Sequence, residues 1–423
     1  MTAIYSTFMS NKAIIIGGGI IGLSSAYYLN QLGWDITILD KGPLDDNCSF
    51  GNAGMIVPSH FVPLAAPGMV QQGIRWMFDS KSPFYVRPSL NMDLISWGLK
   101  FLKSANKKHL EHSAVPLRDL SLLSKQLYLD LAKADGFDFG LHDNGILMLY
   151  KTQKAGEEEV HLAEKARSLG LDVVALNAAE TQALQPKVKL DVAGSVHYRC
   201  DAHLTPNTLM VQLIKYLENA GVKIHRDNEV IKIEKQGTQI TKIHSATQEW
   251  EADKVIIAGG SWSPEIAKLI GLNLPLMPGK GYSFMFDEPA KRMHIPSLLM
   301  EARVSVTPMG DQIRFGGTME IGPINHKINT NRVKGIVESI PRYFPDFKPV
   351  LPSEANTWHG FRPCSPDGLP YIGRVNKFSN LVIATGHGMM GLSLGPATGK
   401  LVSEVLAETN TSMSIEAFSA NRY

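Results

Sequence analysis

"KAIIIGGGIIGLSSAYYLNQLGWDITILD", residues 12–40, is the stretch of the sequence that decides the fold. Its apolar residues Ala13 to Ile16 predict a buried strand, and Gly17 to Gly22 fits the pattern G-x-G-x-x-G at the turn into a helix. That helix is expected to end at Gly33, and a second predicted strand then runs from Asp35 to Leu39. The stretch therefore predicts a strand, a helix and a strand arranged as a dinucleotide-binding unit.

The glycines of this motif and the acid that ends it each have a physical task. Gly17 permits the tight turn, Gly19 lets the backbone approach a pyrophosphate, and Gly22 lets the helix lie close to the strand. The helix start at Ile20 and Ile21 offers free N–H donors and the positive end of a dipole. Asp40 lies eighteen positions after Gly22 (40 minus 22), close to the spacing at which a carboxylate meets a ribose hydroxyl.

Two other segments favour a flavin over a nicotinamide. A run of small and polar residues after Asp40 lets the main chain lie against a flat ligand: Ser49, Gly51, Asn52, Ala53, Gly54 and Met55. Near the end of the chain, a strand over Leu381 to Ala384 leads into a second glycine-rich turn and then a helix to about Leu406; the turn is Gly386, His387, Gly388, Met389, Met390 and Gly391. A helix N-terminus there stabilises the negative charge that a reduced flavin develops and a nicotinamide does not.

Composition describes a globular chain and excludes several classes of protein. The 423 residues are 44% apolar with a net charge of +2, which is enough for two domains and gives no basic cluster of the kind that binds nucleic acid. Three scattered cysteines, Cys48, Cys200 and Cys364, predict neither a disulfide framework nor a metal site, so a reducing, cytoplasmic location is expected. The first ten residues lack the features of a signal peptide, and no apolar run is long enough to span a membrane.

Five motifs together carry a family resemblance over nearly the whole chain. Besides the fingerprint at Gly17, they are Ser49 with Asn52-Ala53-Gly54, Pro63 with Ala65-Ala66-Pro67-Gly68, Lys280-Gly281-Tyr282-Ser283, the block from Trp358 to Arg374, and Gly386-His387-Gly388. The sequence resembles the D-amino-acid oxidase type of FAD-dependent oxidoreductase, most closely the bacterial D-amino-acid dehydrogenases of the small-subunit type. Glycine oxidases and sarcosine oxidases share the fingerprint and the last block more loosely.

The resemblance implies a fold and a cofactor. It implies an α/β protein of two domains, in which a Rossmann-like FAD-binding domain (11–60, 200–275 and 356–423) is interleaved with a substrate-binding domain of mixed sheet and helices (61–199 and 276–355). FAD is expected to bind without a covalent link, although Cys48 lies near the flavin segment. Further residues expected at the cofactor are Lys41, Val230 and Gly259.

Four residues are candidates for the substrate site, each with an alternative: the resemblance implies Arg362 and Tyr282, strand alternation suggests Arg314, and His60 stands where the family has aromatic or small residues. Arg362 is expected to bind the substrate carboxylate, since a guanidinium is a permanent planar fork matched to a carboxylate; pairing with an internal acid such as Asp367 is the alternative. Tyr282 is expected beside the substrate, or else as a core aromatic with its hydroxyl satisfied. Arg314 faces the flavin or lies on the surface of its strand, and His60 reaches a ring hydroxyl or only packs.

The implied reaction is removal of hydride from the Cα of a D-amino acid to flavin N5, giving an imine and then a keto acid. No catalytic acid or base is assigned, since the flavin carries the chemistry. D-proline and cis-4-hydroxy-D-proline, which would give a cyclic imine, are candidate substrates. Three alternatives stay open: a glycine or sarcosine type oxidase that uses oxygen, a subunit that carries FAD without catalysis, and a nicotinamide-dependent dehydrogenase.

The sequence gives only indirect evidence for the identity of the electron acceptor. A dehydrogenase passes electrons to a quinone or an electron-transfer chain, which would place the chain against the inner membrane. Residues 71–104 mix Trp76, Phe78, Phe84, Tyr85 and Trp97 with basic residues, as segments lying on a bilayer surface also do. Core packing is favoured for these aromatic residues, and peripheral membrane contact stays an alternative.

Overall fold

The computed structural model describes residues 11–68, 82–87, 90–287 and 293–423. Its strands are β1 Lys12–Ile16, β2 Asp35–Leu39, β3 Met55–Ile56, β4 Phe84–Val86, β5 Ile146–Tyr150, β6 Val173–Asn177, β7 Gly194–Tyr198, β8 Ala202–His203, β9 Lys223–His225, β10 Lys232–Gln236, β11 Gln239–His244, β12 Glu249–Glu251, β13 Lys254–Ile257, β14 Met277–Phe286, β15 Ser297–Leu299, β16 Val304–Met309, β17 Gln312–Ile321, β18 Trp358–Cys364, β19 Tyr371–Arg374 and β20 Leu381–Thr385. Its helices are α1 Ile20–Gln31, α2 Met92–Ser104, α3 Lys107–Leu131, α4 Gln153–Ser168, α5 Ala178–Leu184, α6 Pro206–Asn219, α7 Ser263–Lys268, α8 Thr330–Tyr343 and α9 Gly391–Leu406.

The predicted strand, helix and strand of residues 12–40 form the centre of a six-stranded sheet. Its order is β19, β20, β13, β1, β2, β9, with every pair parallel except β19 and β20. The apolar run of β1 is buried from Ala13 to Ile16, as expected for a parallel strand covered on both faces. Helix α1 ends two residues before Gly33, whose φ of +77° lets the chain reverse.

A nine-stranded mixed sheet forms the second layer. Its order is β18, β14, β17, β16, β15, β5, β7, β6, and β4 pairs with β17. The ranges 61–199 and 276–355, expected to hold a mixed sheet and helices, contain strands β5, β7, β14 and β17 of this sheet and helices α2, α3 and α4, of which α3 packs against α9. The predicted α/β fold with two sheets is therefore confirmed.

The boundaries of the two domains stay a prediction. The six-stranded sheet takes its strands from 12–39, 223–257 and 371–385, and the nine-stranded sheet from 84–86, 146–198, 277–321 and 358–364. Strand β18 thus pairs with the nine-stranded sheet, although the sequence assigned it to the FAD-binding segment that begins at residue 356. The block from Trp358 to Arg374 crosses from one sheet to the other.

Two helices of the first layer begin side by side at the same edge. Helix α9 packs against α1 so closely that a Cβ at Gly395 would lie 2.7 Å from Cγ1 of Ile20. Since α1 follows β1 and α9 follows β20, both N-termini lie at the carboxyl ends of the parallel strands. This edge is where open α/β sheets bind their ligands.

The aromatic segment before residue 104 is only partly described. Trp97 is buried and stacks on Phe101 at 5.2 Å, as core packing predicts, whereas Trp76, Phe78 and the first ten residues of the chain lie outside the described residues. Within the described ranges, none of the helices combines the length and the apolar character that crossing a membrane requires.

Candidate active site

A cavity of about 980 Å³ lies between the two sheets and reaches from the turn after β1 to strand β18. Its walls come from both layers: Gly17 and Thr385 stand at strand ends of the six-stranded sheet, and Tyr282, Ser305 and Arg362 stand on the nine-stranded sheet. A volume of this size is at the upper end of ordinary ligand pockets, which suits a dinucleotide together with a small substrate.

The first turn has the shape that its glycines predict. A Cβ at Gly22 would overlap the carbonyl oxygen of Gly17, so this contact between helix and strand requires glycine. A Cβ at Gly19 would meet only the Ser49 hydroxyl, at 3.6 Å, because this face of the turn opens into the cavity. The N-cap residue Gly19 has no side chain to cap α1, and apart from the Ile20 N–H, which the Ser49 hydroxyl takes, the positive end of the helix is available to an anion.

Asp40 lines the cavity at the end of β2 and holds the turn in place. Its carboxylate accepts hydrogen bonds from the backbone N–H of Gly18 at 2.7 Å and of Gly42 at 2.8 Å. Burial raises the pKa of Asp40, and these two N–H donors oppose that rise. Lys41 beside it stacks its ammonium over the Trp262 ring, 3.9 Å from the centroid.

The segment from Ser49 to Met55 forms the wall beside α1. The Ser49 hydroxyl accepts a hydrogen bond from the N–H of Ile20 at 3.0 Å, which ties the segment to the helix start. The Trp358 indole lies across this segment, since a Cβ at Gly51 would overlap its ring, and its Nε1 donates to Asp46 at 2.7 Å. The small residues of this segment leave room for the Trp358 ring as well as for a flat ligand.

The second glycine-rich turn presents the other helix start. His387 Nε2 lies 2.9 Å from the Thr398 hydroxyl, and burial lowers the pKa of His387 to about 3, so the ring is neutral. Gly388–Met390 forms one short 3₁₀ turn that leads into α9, whose N-terminus also has no side-chain cap. Two helix N-termini therefore face one cavity, which fits an anionic pyrophosphate and the electron-rich edge of a reduced flavin.

Most of the predicted cofactor residues line this cavity: Gly17, Gly19, Ile20, Ile21, Asp40, Lys41, Ser49, Gly51, Asn52, Ala53, Met55, Val230, Gly259, His387, Gly388, Met389, Met390 and Gly391. The other three, Gly22, Gly54 and Gly386, lie behind its surface. Gly54 and Gly386 have φ values of +74° and +82°, so they shape the turns that carry their neighbours.

Arg362 is a desolvated cation at the wall of the cavity. Its Nη1 donates to the carbonyl oxygen of Thr318 at 2.7 Å, and within the described ranges no carboxylate lies at ion-pair distance from it. Burial lowers the pKa of the guanidinium from its ordinary value. The predicted alternative partner is taken, because Asp367 accepts from Arg422 at 2.6 and 3.0 Å.

A bulge in the sheet fixes the position of Arg362. The pairing of β14 with β17 shifts between Lys280 and Tyr282, and Thr318 opposite has a φ of +63°, which is rare for a β-branched residue. Thr318, the residue with this unusual conformation, is also the residue whose carbonyl oxygen accepts the hydrogen bond from Arg362. Among the residues that the structure describes, the other guanidinium N–H groups have no hydrogen-bond partner, so they can meet a ligand in the cavity.

Tyr282 lies at the cavity wall, but its side chain is buried in the core beside α8. Its ring packs in a cluster with Phe284 and Ile336, and its hydroxyl donates to Glu320 at 2.7 Å and accepts from the N–H of Asn329 at 3.1 Å. This geometry matches the alternative interpretation of Tyr282 as a core aromatic with a satisfied hydroxyl.

Arg314 was expected to face the flavin or the substrate, but it lies outside the cavity wall. Its Nη1 donates to the carbonyl oxygens of Phe50 at 2.9 Å and Asn52 at 2.7 Å. The guanidinium therefore clamps the Ser49 to Met55 segment onto β17. Strand alternation could not reveal this, because the accepting carbonyls lie more than 260 residues away in the sequence.

His60 lines the cavity and belongs to a polar chain that the sequence did not reveal. Its Nδ1 lies 3.0 Å from the Ser59 hydroxyl, which donates to Asp201 at 2.6 Å. Burial lowers the pKa of His60 to about 4, and nearby Arg303 lowers it further. No local pattern could join residues 59 and 201, since 142 positions separate them.

Two further features of the cavity are a pair of histidines that the sequence did not predict and Cys48, for which a covalent link to the flavin was an open alternative. His326 Nδ1 and His359 Nε2 lie 3.2 Å apart at the wall, and both rings meet Phe361 edge-on. Cys48 also lines the cavity, but its sulfur contacts the N–H of Phe361 at 3.2 Å and burial raises the pKa of its thiol. A neutral thiol is a weak nucleophile, which favours FAD bound without a covalent link.

Comparison with known proteins gives matches over nearly the whole chain. The model of the family described as DAO, FAD dependent oxidoreductase, matches residues 12–405. D-amino acid dehydrogenase of Helicobacter pylori is 31% identical over 398 residues, 94% of this chain and 95% of that protein. D-amino acid dehydrogenase of Neisseria meningitidis serogroup C is 27% identical over 421 residues, 97% of this chain and 99% of that protein.

A solved structure shares the fold. Glycine oxidase from Geobacillus kaustophilus superposes with a TM-score of 0.78 at 22% identity, covering 98% of this chain and all of that one (100%). The two sheets and the cavity between them therefore belong to a known architecture.

Proposed function

The chain belongs to the family of FAD-dependent oxidoreductases, and we propose that it oxidises the C–N bond of a D-amino acid. The names of its relatives in Helicobacter and Neisseria support this substrate class. The observation that carries the proposal is Arg362, a cation on the cavity wall whose described surroundings offer it a single carbonyl and no carboxylate. Such a group needs an anionic ligand, and the α-carboxylate of an amino acid supplies one.

The residues of the chain orient the substrate and keep water away. Arg362, on β18 at the cavity wall, binds the carboxylate. FAD held by the two helix starts supplies the hydride acceptor for the Cα hydrogen. Met55 and Met390 form apolar wall on the side of the first layer, so a bound substrate loses its contact with water.

A cyclic imino acid fits the walls of this cavity. His60 offers one polar ring atom among apolar neighbours, including Met55, Val57 and Leu298. D-proline and cis-4-hydroxy-D-proline present a carboxylate, one nitrogen and a compact apolar ring, so we propose them as substrates to test. The product would then be a cyclic imine.

The electron acceptor we propose is a quinone or another electron-transfer partner at a membrane. The observation that supports it is helix α2, which buries Leu94 and Trp97 against the protein and leaves an opposite apolar face uncovered. That face carries Met92, Ile95, Leu99 and Leu102, with Leu90 just before the helix. Their spacing of three and four residues makes one stripe.

Basic residues border this stripe. Lys100 and Lys103 lie on α2, and Lys107 and Lys108 open the next helix, whereas Asp93 is already paired with Lys268 at 2.9 Å. An apolar stripe flanked by lysines is typical of helices that lie in the surface of an anionic bilayer. We therefore propose that α2 rests on such a surface.

The test of the proposed function replaces the cation. Arg362→Met keeps an unbranched apolar side chain in place of the arginine stem and removes the charge, so we expect kcat/KM for a D-amino acid to fall by about 100-fold or more, the effect of about 3 kcal/mol. FAD content, read from the visible spectrum, should stay unchanged because Arg362 is not needed to hold the cofactor. Arg342→Met, at an exposed arginine of α8, is the control and should keep wild-type kinetics. Unchanged kcat/KM in Arg362→Met would exclude the carboxylate assignment.

A further inference from the structure

A buried carboxylate is connected to the cavity through two side chains. Asp201, between β7 and β8, is fully buried and accepts from the backbone N–H of Ser59 at 2.9 Å and from its hydroxyl at 2.6 Å. The same hydroxyl lies 3.0 Å from Nδ1 of His60, which lines the cavity. The three residues form one continuous chain of hydrogen bonds from the protein interior to the cavity wall.

No cation neutralises this carboxylate by direct contact. Among described residues, Asp201 has no ion pair; Cys200 donates to it weakly at 3.6 Å, and Tyr198 also lies nearby. Lys125 acts on it only through space, because its ammonium is paired with Asp143 at 2.5 Å. Burial consequently raises the pKa of Asp201 to about 7, against the opposing effect of the Ser59 donors.

The protonation state of Asp201 determines which ring nitrogen of His60 carries the proton. An ionised Asp201 takes the Ser59 hydroxyl proton in a hydrogen bond, so Ser59 can only accept from His60, which must then carry its proton on Nδ1. His60 Nε2 is left as a bare acceptor. A protonated Asp201 reverses both hydrogen bonds, and Nε2 then carries the proton.

We propose that His60, Ser59 and Asp201 relay a proton from the nitrogen of the substrate to Asp201. The inference rests on the proposed function, in which an amino acid binds in this cavity. The substrate N–H bond breaks as His60 Nε2 takes its proton, Nδ1 passes its own proton to Ser59, and Ser59 passes its hydroxyl proton to Asp201 Oδ2. One proton leaves the ammonium and one arrives on the carboxylate, so the imidazole changes tautomer and stays neutral.

The chemistry of amino-acid oxidation gives this relay its use. At neutral pH the nitrogen is an ammonium, and hydride does not leave from the adjacent carbon until a nitrogen lone pair is available to form the C=N bond. His60 alone is a weak base, because its pKa is lowered to about 4 beside Arg303. Asp201 accepts the proton instead, and the proton returns along the same route when the product has left. His60 is the residue that contacts the substrate, and Ser59 and Asp201 act through it.

The relay predicts a pH profile that a structural role would not produce. Asp201→Asn keeps an oxygen for the Ser59 N–H but cannot take up a proton. At pH 7 we expect the rate of flavin reduction by D-proline to fall by about 100-fold, the usual size of a lost general base. It should recover as the pH approaches the pKa of the free substrate amine, since neutral amine then arrives from solution. Ser59→Ala should reproduce this profile if Asp201→Asn does not fold.

A second readout follows the tautomer without turnover. Nitrogen chemical shifts of protein labelled with ¹⁵N-histidine, assigned with His60→Gln, should move from Nδ1–H to Nε2–H as the pH falls through about 7. In Asp201→Asn the side-chain amide donates to Ser59, so Nε2–H should persist at every pH. Ser121→Ala, at a buried serine whose hydroxyl has no partner among described residues, is the control and should keep the wild-type profile.

The outcomes separate the relay from the proposed function. Wild-type protein that D-amino acids reduce, with Asp201→Asn slowed equally at all pH values, would overturn the relay and leave the function standing. A loss confined to cis-4-hydroxy-D-proline would make His60 a hydroxyl-binding group instead. Wild-type protein that no amino acid reduces would overturn both.

Discussion

Arg362 lies flat against its neighbouring strand because residue 281 is a glycine. A Cβ at Gly281 would overlap Nη1 of Arg362, while the backbone of β14 would be undisturbed. A Cβ at Gly281 would displace only the flexible end of the Arg362 side chain. A larger residue at position 281 should therefore disturb the site and leave the fold intact. The glycine thus sets the place of the cation to within the radius of a methyl group.

This contact predicts that Gly281→Ala weakens substrate binding without unfolding the protein. Displacing the guanidinium by the width of a methyl group costs one charge-assisted hydrogen bond to the carboxylate, so we expect KM for a D-amino acid to rise about tenfold. Steady-state kinetics and thermal unfolding measure the two effects separately. Gly98→Ala, on α2 with open space around it, should leave KM unchanged. Equal KM values in both variants would refute the close contact.

At the level of single residues, the sequence predicted what a local motif carries. Arg362 and Asp40 belong to contiguous motifs, and both line the cavity. The partner of Asp367 could not be predicted, because Arg422 reaches it from the end of the chain, 55 positions away. The clamp made by Arg314 and the chain from Asp201 to His60 likewise depend on contacts that only the folded chain creates.

Among the elements, the strand, turn and helix units were predictable because their signals are short-range. A buried apolar strand, a glycine turn and an amphipathic or apolar helix are each encoded within about fifteen residues. The order of the nine-stranded sheet was not predictable, since β14 pairs with β17 and β18 across long stretches of chain. Helix α2 shows the same limit, because its period predicts a helix but does not say which apolar face is covered.

The uncovered face of α2 predicts binding to anionic membranes. Leu99 is 64% exposed and Leu102 54% exposed, and their replacement in Leu99→Glu with Leu102→Glu removes apolar area and adds negative charge beside the lysines. We expect the variant to lose most of its cosedimentation with vesicles containing phosphatidylglycerol and to keep wild-type turnover with a soluble dye. Val211→Glu, at an apolar residue of α6 that is 57% exposed, is the matched control. Undiminished sedimentation would show that α2 does not meet the bilayer.

Over the whole molecule, the site exists because the chain alternates between the two sheets. The first layer supplies two helix starts from opposite ends of the sequence, and the second supplies the cation and the aromatic wall. The C-terminal Arg422 closes the arrangement, since it binds Asp367 in the block after Arg362 and stacks on Tyr371, 3.8 Å from the ring centroid. The cavity is therefore built from segments that lie far apart in the sequence.

The measurement that tests this arrangement most directly is the visible spectrum of the purified protein, titrated without oxygen. D-proline, cis-4-hydroxy-D-proline, D-alanine, glycine, sarcosine and the L-enantiomers would be added one at a time. We expect a yellow protein whose flavin bands bleach with D-amino acids and not with their L-counterparts, and whose colour returns slowly in air, as befits a dehydrogenase. A yellow protein that no amino acid bleaches would contradict the proposed function.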